Sequence, residues 1–330
     1  MRLGLICSAH GFGHVGRQLA TIERLLALGH DVVLFTAAPP ELVAMPRLRV
    51  IPWRVDVGIA QLDSLTEDLE RTRVLWAEAV DRVDALAAEL AGLDAVLVDV
   101  AATGLEAARR AGVPALAVGN FDWAWIYEQY PELRDLAPQM RAWQAPHPGV
   151  SLGPGPGLTG FSKTTRVDSP LARRAAPVRV VEEGAAVLVA FGGLGLRGLD
   201  AWLPQIPGVT WILTPPQSFI DRDDIQFVSD VPFPSLLAGA DAVLTKPGYG
   251  VLSEAMLAGA RLCWVDRGKF PEAPFLEAAM RARGDVKVVA DVQGAVRLAL
   301  AAGRCAPVAT AAVDPVVNAL LARASSTAGP

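Results

Sequence analysis

The sequence predicts an α/β protein built from two doubly wound, Rossmann-like parallel sheets in series. Short apolar runs that end in Gly, Pro or Asp alternate with helical patterns along the chain, which is typical of parallel strands joined by crossover helices. The pattern restarts after a Pro- and Gly-rich passage between Pro146 and Pro177, and 330 residues are about twice the common domain size. We therefore expect one domain over residues 1–172 and another over 173–330, facing each other across a cleft.

The first half is expected to alternate buried strands with helices. Apolar runs predict strands at 2–8, 31–36, 48–53, 94–99 and 114–119. Helical patterns predict helices at 14–28, 66–90 and 104–111. Apolar residues of the long helix recur at spacings near three, four and seven, so we expect one of its faces to lie in the core. The passage that follows predicts a last strand and a linker.

The second half repeats the arrangement with six predicted strands. They begin the segments 185–193, 209–215, 225–230, 241–250, 260–266 and 286–291, and the glycines at the ends of 185–193 and 241–250 are expected to form turns. Ligands of doubly wound sheets bind at the carboxyl ends of the strands. The loops that follow the strands are therefore where we expect the functional residues.

Composition and charge exclude several classes of partner. The formal charge is −5 and no clustered basic face is visible, which argues against nucleic acid. No apolar run reaches the roughly 18 residues of a membrane-spanning helix, so no integral membrane segment is expected. The 3 cysteines and 4 histidines are scattered, so neither a disulfide framework nor a metal site is indicated, and no cofactor is expected. A cytoplasmic location fits this cysteine usage.

The stretch SAHGFGHVGR carries glycines at the spacing G-x-G-x-x-G, formed by Gly11, Gly13 and Gly16. This spacing after a strand is also found in dinucleotide-binding proteins. Such proteins hold a ribose hydroxyl with an acidic residue about 20 positions later. Thr36 and Ala37 stand there instead. The sequence therefore disfavours a nicotinamide or flavin site.

Two imidazoles, His10 and His14, lie in the same loop. A neutral imidazole is favoured at the positive end of a helix dipole, which makes His14 a candidate general base. Asp99 ends a nearby predicted strand and could fix the tautomer of His14; the alternative is that both residues only cap helices. Arg17 is a candidate phosphate or carboxylate ligand, with a surface ion pair as the alternative.

The segment KPGYGVLSEA is a candidate nucleotide site. Gly248 and Gly250 let the backbone approach a ligand closely, and the following helix offers amides to a phosphate. Lys246 adds a counter-charge, and Ser253 can donate a hydrogen bond. Glu254 could accept both ribose hydroxyls, or it could simply complement the helix dipole.

Two further stretches of the second half follow strands. Gly192 and Gly193 are candidates for contact with a diphosphate. In VDRGKFPEAP, Asp266, Arg267 and Glu272 are expected to project toward the expected cleft, and Glu272 is placed to accept sugar hydroxyls. Solvation at the surface is the alternative.

The segment NFDWAWIYEQY concentrates aromatic residues at the end of a predicted strand. Aromatic rings stack against sugar faces, and polar neighbours bond hydroxyls, so the segment suits an acceptor subsite. The candidate acceptor-binding residues are His10, Asn120, Asp122, Trp123 and Trp125. Packing of the aromatic rings onto the long helix is the alternative.

Together these motifs resemble the GT-B nucleotide-sugar glycosyltransferase superfamily, and most closely the glycosyltransferase-like amino-terminal region of plant L-arabinokinases. The resemblance rests on AHGFGHVGR, NFDWAWIYEQY and KPGYGVLSEA, and it spans nearly the whole chain. It implies that the first domain binds the acceptor and the second the nucleotide sugar. By the same resemblance His14 is the base, Asp99 orients it and Glu254 holds the ribose. No glycine-serine loop of the associated kinase domain is present, so sugar phosphorylation is not implied.

The resemblance therefore implies an inverting, metal-independent glycosyltransferase, with a nucleoside diphosphate sugar as donor, UDP as the expected nucleotide, and an unidentified small-molecule acceptor. Two alternatives stay open. GFGHVGR also resembles the loop of a UDP-sugar hydrolase, in which water replaces the acceptor. Related enzymes often carry an acid-glutamine pair for the donor sugar, whereas Glu272 is followed here by Ala273, which favours a non-catalytic nucleotide-sugar sensor.

Overall fold

The structure is a computed structural model that describes residues 1–8, 13–56, 58–63, 66–192, 195–196, 198–309 and 311–326. The chain divides into two compact units. The first unit comprises Met1–Ala60, Glu67–Ala172 and Ala311–Pro330, and the second comprises Gln61–Thr66 and Arg173–Thr310.

The described residues form strands and helices in an alternating order. The strands are β1 (Arg2–Cys7), β2 (Asp31–Thr36), β3 (Leu48–Pro52), β4 (Gln61–Asp63), β5 (Thr66–Glu67), β6 (Ala95–Asp99), β7 (Ala115–Gly119), β8 (Pro148–Leu152), β9 (Lys163–Val167), β10 (Ala185–Ala190), β11 (Val209–Leu213), β12 (Ile225–Phe227), β13 (Ala242–Thr245), β14 (Arg261–Trp264) and β15 (Val286–Lys287). The helices are α1 (Gly13–Ala27), α2 (Pro40–Val43), α3 (Leu69–Asp81), α4 (Val83–Leu90), α5 (Ala102–Ala111), α6 (Trp123–Glu128), α7 (Ala137–Gln144), α8 (Leu199–Trp202), α9 (Phe233–Gly239), α10 (Tyr249–Ala258), α11 (Ala273–Ala282), α12 (Val292–Ala302) and α13 (Val313–Ser325), with a short 3₁₀ turn at Arg134–Leu136.

The first unit contains a seven-stranded sheet in the order β3-β2-β1-β6-β7-β8-β9. Every neighbouring pair in this sheet is parallel. The strand order reverses between β1 and β6, so the loops that follow these two strands diverge and leave room for a ligand there. The passage after residue 146 supplies two strands, β8 and β9, where one was expected.

The second unit contains a six-stranded parallel sheet in the order β12-β11-β10-β13-β14-β15. Its strand order reverses between β10 and β13. The predicted doubly wound α/β class is confirmed. Within the described ranges, no helix is both long and apolar enough to span a bilayer.

The predicted helix over 66–90 is interrupted in the structure. Residues Thr66–Glu67 form β5, and the Asp68 side chain accepts a hydrogen bond of 2.9 Å from the amide of Arg71, which caps the start of α3. Arg82 then separates α3 from α4 with φ −97° and ψ 2°. Its guanidinium lies 4.5 Å from the ring centroid of Trp53. The buried positions keep the same spacing on both sides of Arg82. The apolar pattern in the sequence therefore did not indicate that the helix is interrupted there.

The C-terminal helix α13 corrects the expected extent of the second domain, which was placed at 173–330. Val316, Val317 and Leu320 are buried in the core that covers one face of the first sheet. Arg24 of α1 also pairs with Asp314 at 2.8 Å. The amphipathic pattern shows that one face of this helix is buried, but it does not show which core receives that face.

We expect Leu320→Ala to destabilise the protein by about 2–5 kcal/mol, because it leaves a cavity in a fully buried core position. Asp314→Ala is the matched control on the same helix. It removes only an exposed ion pair and should cost less than about 1 kcal/mol. Urea denaturation measures both, and equal losses would contradict the placement of α13.

Candidate functional site

His14 and Asp99 meet where the strand order of the first sheet reverses. His14 is the second residue of α1, and Asp99 ends β6, in register with Cys7 of β1. The distance between His14 Nδ1 and Asp99 Oδ1 is 2.8 Å, and both side chains are buried. With Asp99 ionised, the proton lies on Nδ1, which leaves Nε2 as the basic nitrogen of the ring.

The Asp99 carboxylate accepts hydrogen bonds from three side chains. Arg17 Nε donates at 2.7 Å and Gln18 Nε2 at 2.7 Å, both to Oδ2. A second Arg17 nitrogen contacts Oδ1, the oxygen that also faces His14. Burial alone would raise the pKa of Asp99, but the charges of Arg17 and His14 hold that pKa well below its usual range. Asp99 is therefore ionised throughout the neutral pH range.

Aromatic rings border the imidazole of His14. The ring centroid of Trp123 lies 5.9 Å from that of His14, and the Phe121 centroid lies 6.1 Å away. Trp123 begins α6 and is almost fully buried, whereas Trp125 is half-buried. The predicted aromatic segment thus places Trp123 next to the candidate base.

In the second unit, the loops after β10 and β13 approach each other where the strand order reverses. Gly192 has φ +79°, a left-handed conformation that favours glycine, and a Cβ there would lie 3.9 Å from Lys246 Cε. Gly248 immediately precedes α10, and Gly250 and Ser253 lie within it. The amides at the start of α10 and the Lys246 ammonium are therefore suited to a phosphate.

Glu254 of α10 lines a cavity of about 140 Å³ in the second unit. The other lining residues are Arg173, Arg174, Ala175, Pro234, Ala238, Leu257 and Ala258. Burial raises the pKa of Glu254 to about 7, and the charge of Arg173 opposes that shift. Near neutral pH, this carboxyl group therefore exchanges between its protonated and ionised forms.

Glu272 immediately precedes α11 and is buried. Its Oε1 accepts a hydrogen bond of 2.6 Å from Arg267 Nη1. Asp266 belongs to a different environment: it is exposed, and its carboxylate bonds the amide of Gly268 at 2.8 Å and Lys287 Nζ at 2.9 Å.

Comparisons with known proteins agree with this architecture. The glycosyltransferase SnogD from Streptomyces nogalater is 16% identical, with a TM-score of 0.54 and coverage of 98% of this chain and 95% of that one. UGT89C1 from Arabidopsis thaliana, complexed with UDP, is 14% identical with a TM-score of 0.59, covering 98% and 94%. The chain has the GT-B fold.

The suspected resemblance to L-arabinokinase is also confirmed. L-arabinokinase of Arabidopsis thaliana is 30% identical over 302 residues, which cover 82% of this chain. The chain spans 28% of the length of that relative. No protein-family model matches the chain.

Arg17 and Asn120 were predicted to contact ligands. In the structure both bond other buried side chains of the first unit. Arg17 Nη1 donates to Asn120 Oδ1 at 2.6 Å, and both side chains are buried. The Asn120 amide donates to the carbonyl oxygens of Leu152 at 3.1 Å and Pro154 at 2.9 Å. A buried carboxylate needs a nearby counter-charge, and Arg17 supplies it for Asp99.

Asp122 likewise has a structural role in the first unit. It caps α6 by accepting a hydrogen bond of 2.8 Å from the amide of Trp125, and it pairs with Arg141 at 2.9 Å. Thr159 donates to its other oxygen. We therefore leave Asp122 out of the proposed acceptor site. Gly13 is the first residue of α1. Two other candidates, His10 and Gly193, lie outside the described residues.

Asp56 is a buried carboxyl group that the sequence interpretation missed. It lies beside the Ser8 hydroxyl, the Trp123 indole and the His14 imidazole. Burial raises its pKa to about 6, and these neighbours oppose the shift. Asp56 follows β3 on the same sheet edge as Asp99. The strand-end rule that pointed to Asp99 could therefore have found it.

We expect Asp56→Asn to stabilise the protein by about 2–3 kcal/mol near pH 7.5, since one pKa unit corresponds to about 1.4 kcal/mol. The folded-state pKa of Asp56 is raised, so its contribution to stability is lost as the pH rises from about 4 through about 6. The gain should therefore vanish near pH 4. Thermal or urea unfolding at both pH values measures it.

Asp99→Asn is the control for Asp56→Asn, because it changes a carboxylate of the same site in the same way. It leaves the buried Arg17 charge without its partner and should cost about 3–5 kcal/mol. A loss of stability in Asp56→Asn at pH 7.5 would show that the Asp56 charge is compensated in the fold.

Proposed function

We propose that this protein transfers a sugar from a nucleoside diphosphate sugar to an acceptor hydroxyl, with inversion at the anomeric carbon. The observation that carries the proposal is the bond between His14 Nδ1 and the ionised, buried Asp99 on a GT-B fold. UDP is the expected nucleotide. In its support, the structural neighbour UGT89C1 has been solved with UDP and with UDP-L-rhamnose.

The first unit supplies the base in this proposal. His14 Nε2 takes the proton of the acceptor hydroxyl as the oxygen attacks the anomeric carbon. The new carbon–oxygen bond forms opposite the bond to the diphosphate, which breaks and leaves with its electron pair. Asp99 fixes the ring of His14 and stabilises the imidazolium that forms. Trp123 provides an aromatic surface beside the base for an acceptor.

The second unit binds the donor. The amides at the start of α10, together with Lys246 and the turn at Gly192, stabilise the negative charge of the leaving diphosphate, so the proposed step needs no metal. Glu254 accepts hydrogen bonds from ribose hydroxyls. Its position in a cavity supports this role. Glu272 accepts hydrogen bonds from the donor sugar.

Hydrolysis and sensing are the two other candidate functions. The loop that contains His14 also resembles that of a nucleotide-sugar hydrolase, in which His14 would activate water. Ala273 stands where related enzymes carry glutamine, which favours a sensor. Incubation with nucleotide sugars separates the three: UDP released only with acceptor indicates transfer, release without acceptor indicates hydrolysis, and binding without release indicates sensing.

We expect His14→Ala to lower the turnover of UDP-sugar by about 10²–10⁴-fold, the usual contribution of a general base. Binding of UDP should be unchanged, because UDP contacts the second unit. Turnover is followed by UDP release and binding by calorimetry. Full activity of the variant would exclude His14 as the base, whether the acceptor is a hydroxyl or water.

We expect the affinity for a UDP-sugar to rise about tenfold between pH 6 and pH 8, because ionisation of Glu254, with a pKa of about 7, makes both carboxylate oxygens charged acceptors for the two ribose hydroxyls. A UDP-sugar is the suitable ligand because its diphosphate is esterified at both ends and does not titrate in this range. Glu254→Gln is the control and should bind equally at both pH values. The same pH dependence in Glu254→Gln would show that another group titrates.

A further inference from the structure

Arg267 and Glu272 form a buried ion pair in the second unit. Arg267 Nη1 and Glu272 Oε1 are 2.6 Å apart, and each side chain is only 7% exposed. Burying an ion pair costs desolvation energy. Hydrophobic residues in the same place often make the protein at least as stable. Stability alone therefore does not explain why a charged pair occupies this position.

Two further contacts immobilise the Arg267 guanidinium. Its Nη1 lies 3.3 Å from the carbonyl oxygen of Pro247, and its carbon Cζ lies 3.8 Å from the ring centroid of Phe270. Pro247 follows Lys246 in the loop that precedes α10. Arg267 therefore joins Glu272 to the loop proposed to bind the diphosphate.

The second carboxylate oxygen of Glu272 is the unusual feature. Oε2 is buried and has no hydrogen-bond partner among the residues that the structure describes. Leaving a buried acceptor unsatisfied costs free energy, so such groups call for an explanation. A carboxylate can only accept hydrogen bonds, and the group that would satisfy Oε2 must therefore be a donor, such as a sugar hydroxyl.

We infer that Arg267 is a positioning residue for sugar recognition, which holds Oε1 of Glu272 so that Oε2 receives a hydroxyl of the donor sugar. This inference rests on the proposed function. The hydrogen bond from Arg267 fixes Oε1 of Glu272, and the contact with Pro247 holds the guanidinium at a set position relative to the phosphate loop. The next residue, Ala273, has no side-chain amide to assist Glu272. The sugar it fits is neutral and carries hydroxyl groups.

The test compares two dissociation constants in the intact protein. Binding of UDP, UDP-glucose, UDP-galactose and UDP-xylose is measured by calorimetry, and the sugar showing the largest gain over UDP is retained. The ratio of the UDP constant to the UDP-sugar constant isolates the contribution of the sugar. We expect this ratio to fall about 10- to 100-fold in Glu272→Gln and Arg267→Met, because a hydrogen bond to a charged group is lost. UDP binding itself should be unchanged.

Arg267→Lys tests the role of the charge and guards against misfolding of Arg267→Met. It keeps the charge without the planar guanidinium, and we expect an intermediate ratio. Arg283→Met is the matched control, because it breaks another Arg–carboxylate pair of the second unit, with Asp285 at 2.9 Å. Its ratio should equal that of the unmodified protein.

The outcomes separate this inference from the function on which it rests. The inference fails if no UDP-sugar binds more tightly than UDP. It also fails if the Arg267 variants weaken the binding of UDP and of UDP-sugar equally, because Arg267 then has only a structural role. The proposed function survives either result. If neither UDP nor any UDP-sugar binds, the proposed function with UDP as its nucleotide fails as well.

Discussion

The buried negative charge of Asp99 is the constraint on which the first unit's site depends. Both carboxylate oxygens are occupied, Oδ1 by His14 and Arg17, and Oδ2 by Arg17 and Gln18. Such a set of donors offsets the cost of removing a carboxylate from water. It also determines what each donor can do. His14 is held by Nδ1 and presents Nε2, whereas Arg17 is committed to Asp99 and its position in α1 serves the site only indirectly.

The charges around Asp99 also explain why a carboxyl group, Asp56, is buried beside them. Neutral His14, ionised Asp99 and Arg17 sum to zero. A proton on His14 would leave a net positive charge, which an ionised Asp56 balances. A buried carboxyl whose pKa is raised to about 6 costs stability at neutral pH. Asp56 thus lowers the stability of the fold next to the proposed base. Such a cost is typical of sites in which function and stability compete.

The sequence was sufficient for most strands of the two large sheets, although not for β4, β5 or the presence of both β8 and β9, and for the pairing of His14 with Asp99. Parallel strands place their carboxyl ends at one edge, so residues that follow two such strands are predictably close. The sequence could not predict the partner of a residue that has several chemically equivalent partners within reach. Arg17 reaches either a ligand or a buried carboxylate, Asp122 caps a helix as well as it bonds a hydroxyl, and the apolar face of α13 fits any core of suitable shape. Distances between non-adjacent elements decide these cases.

The second unit shows why residue type alone does not identify a sugar-binding acid. The sequence offered three acids for the nucleotide sugar: Glu254 for the ribose, Glu272 for sugar hydroxyls, and Asp266 as a neighbour of Glu272. Asp266 is exposed, and its carboxylate already accepts a hydrogen bond from Lys287 at the surface. Glu254 has a raised pKa near neutrality and accepts hydrogen bonds through both charged oxygens only in the fraction that is ionised. Glu272 is held beside a guanidinium, and one of its buried oxygens has no donor among the residues that the structure describes. A sugar hydroxyl gains most from a buried acceptor whose hydrogen bonds are not already made, and among the three acids Glu272 is the one whose buried oxygen is left unsatisfied by the described residues.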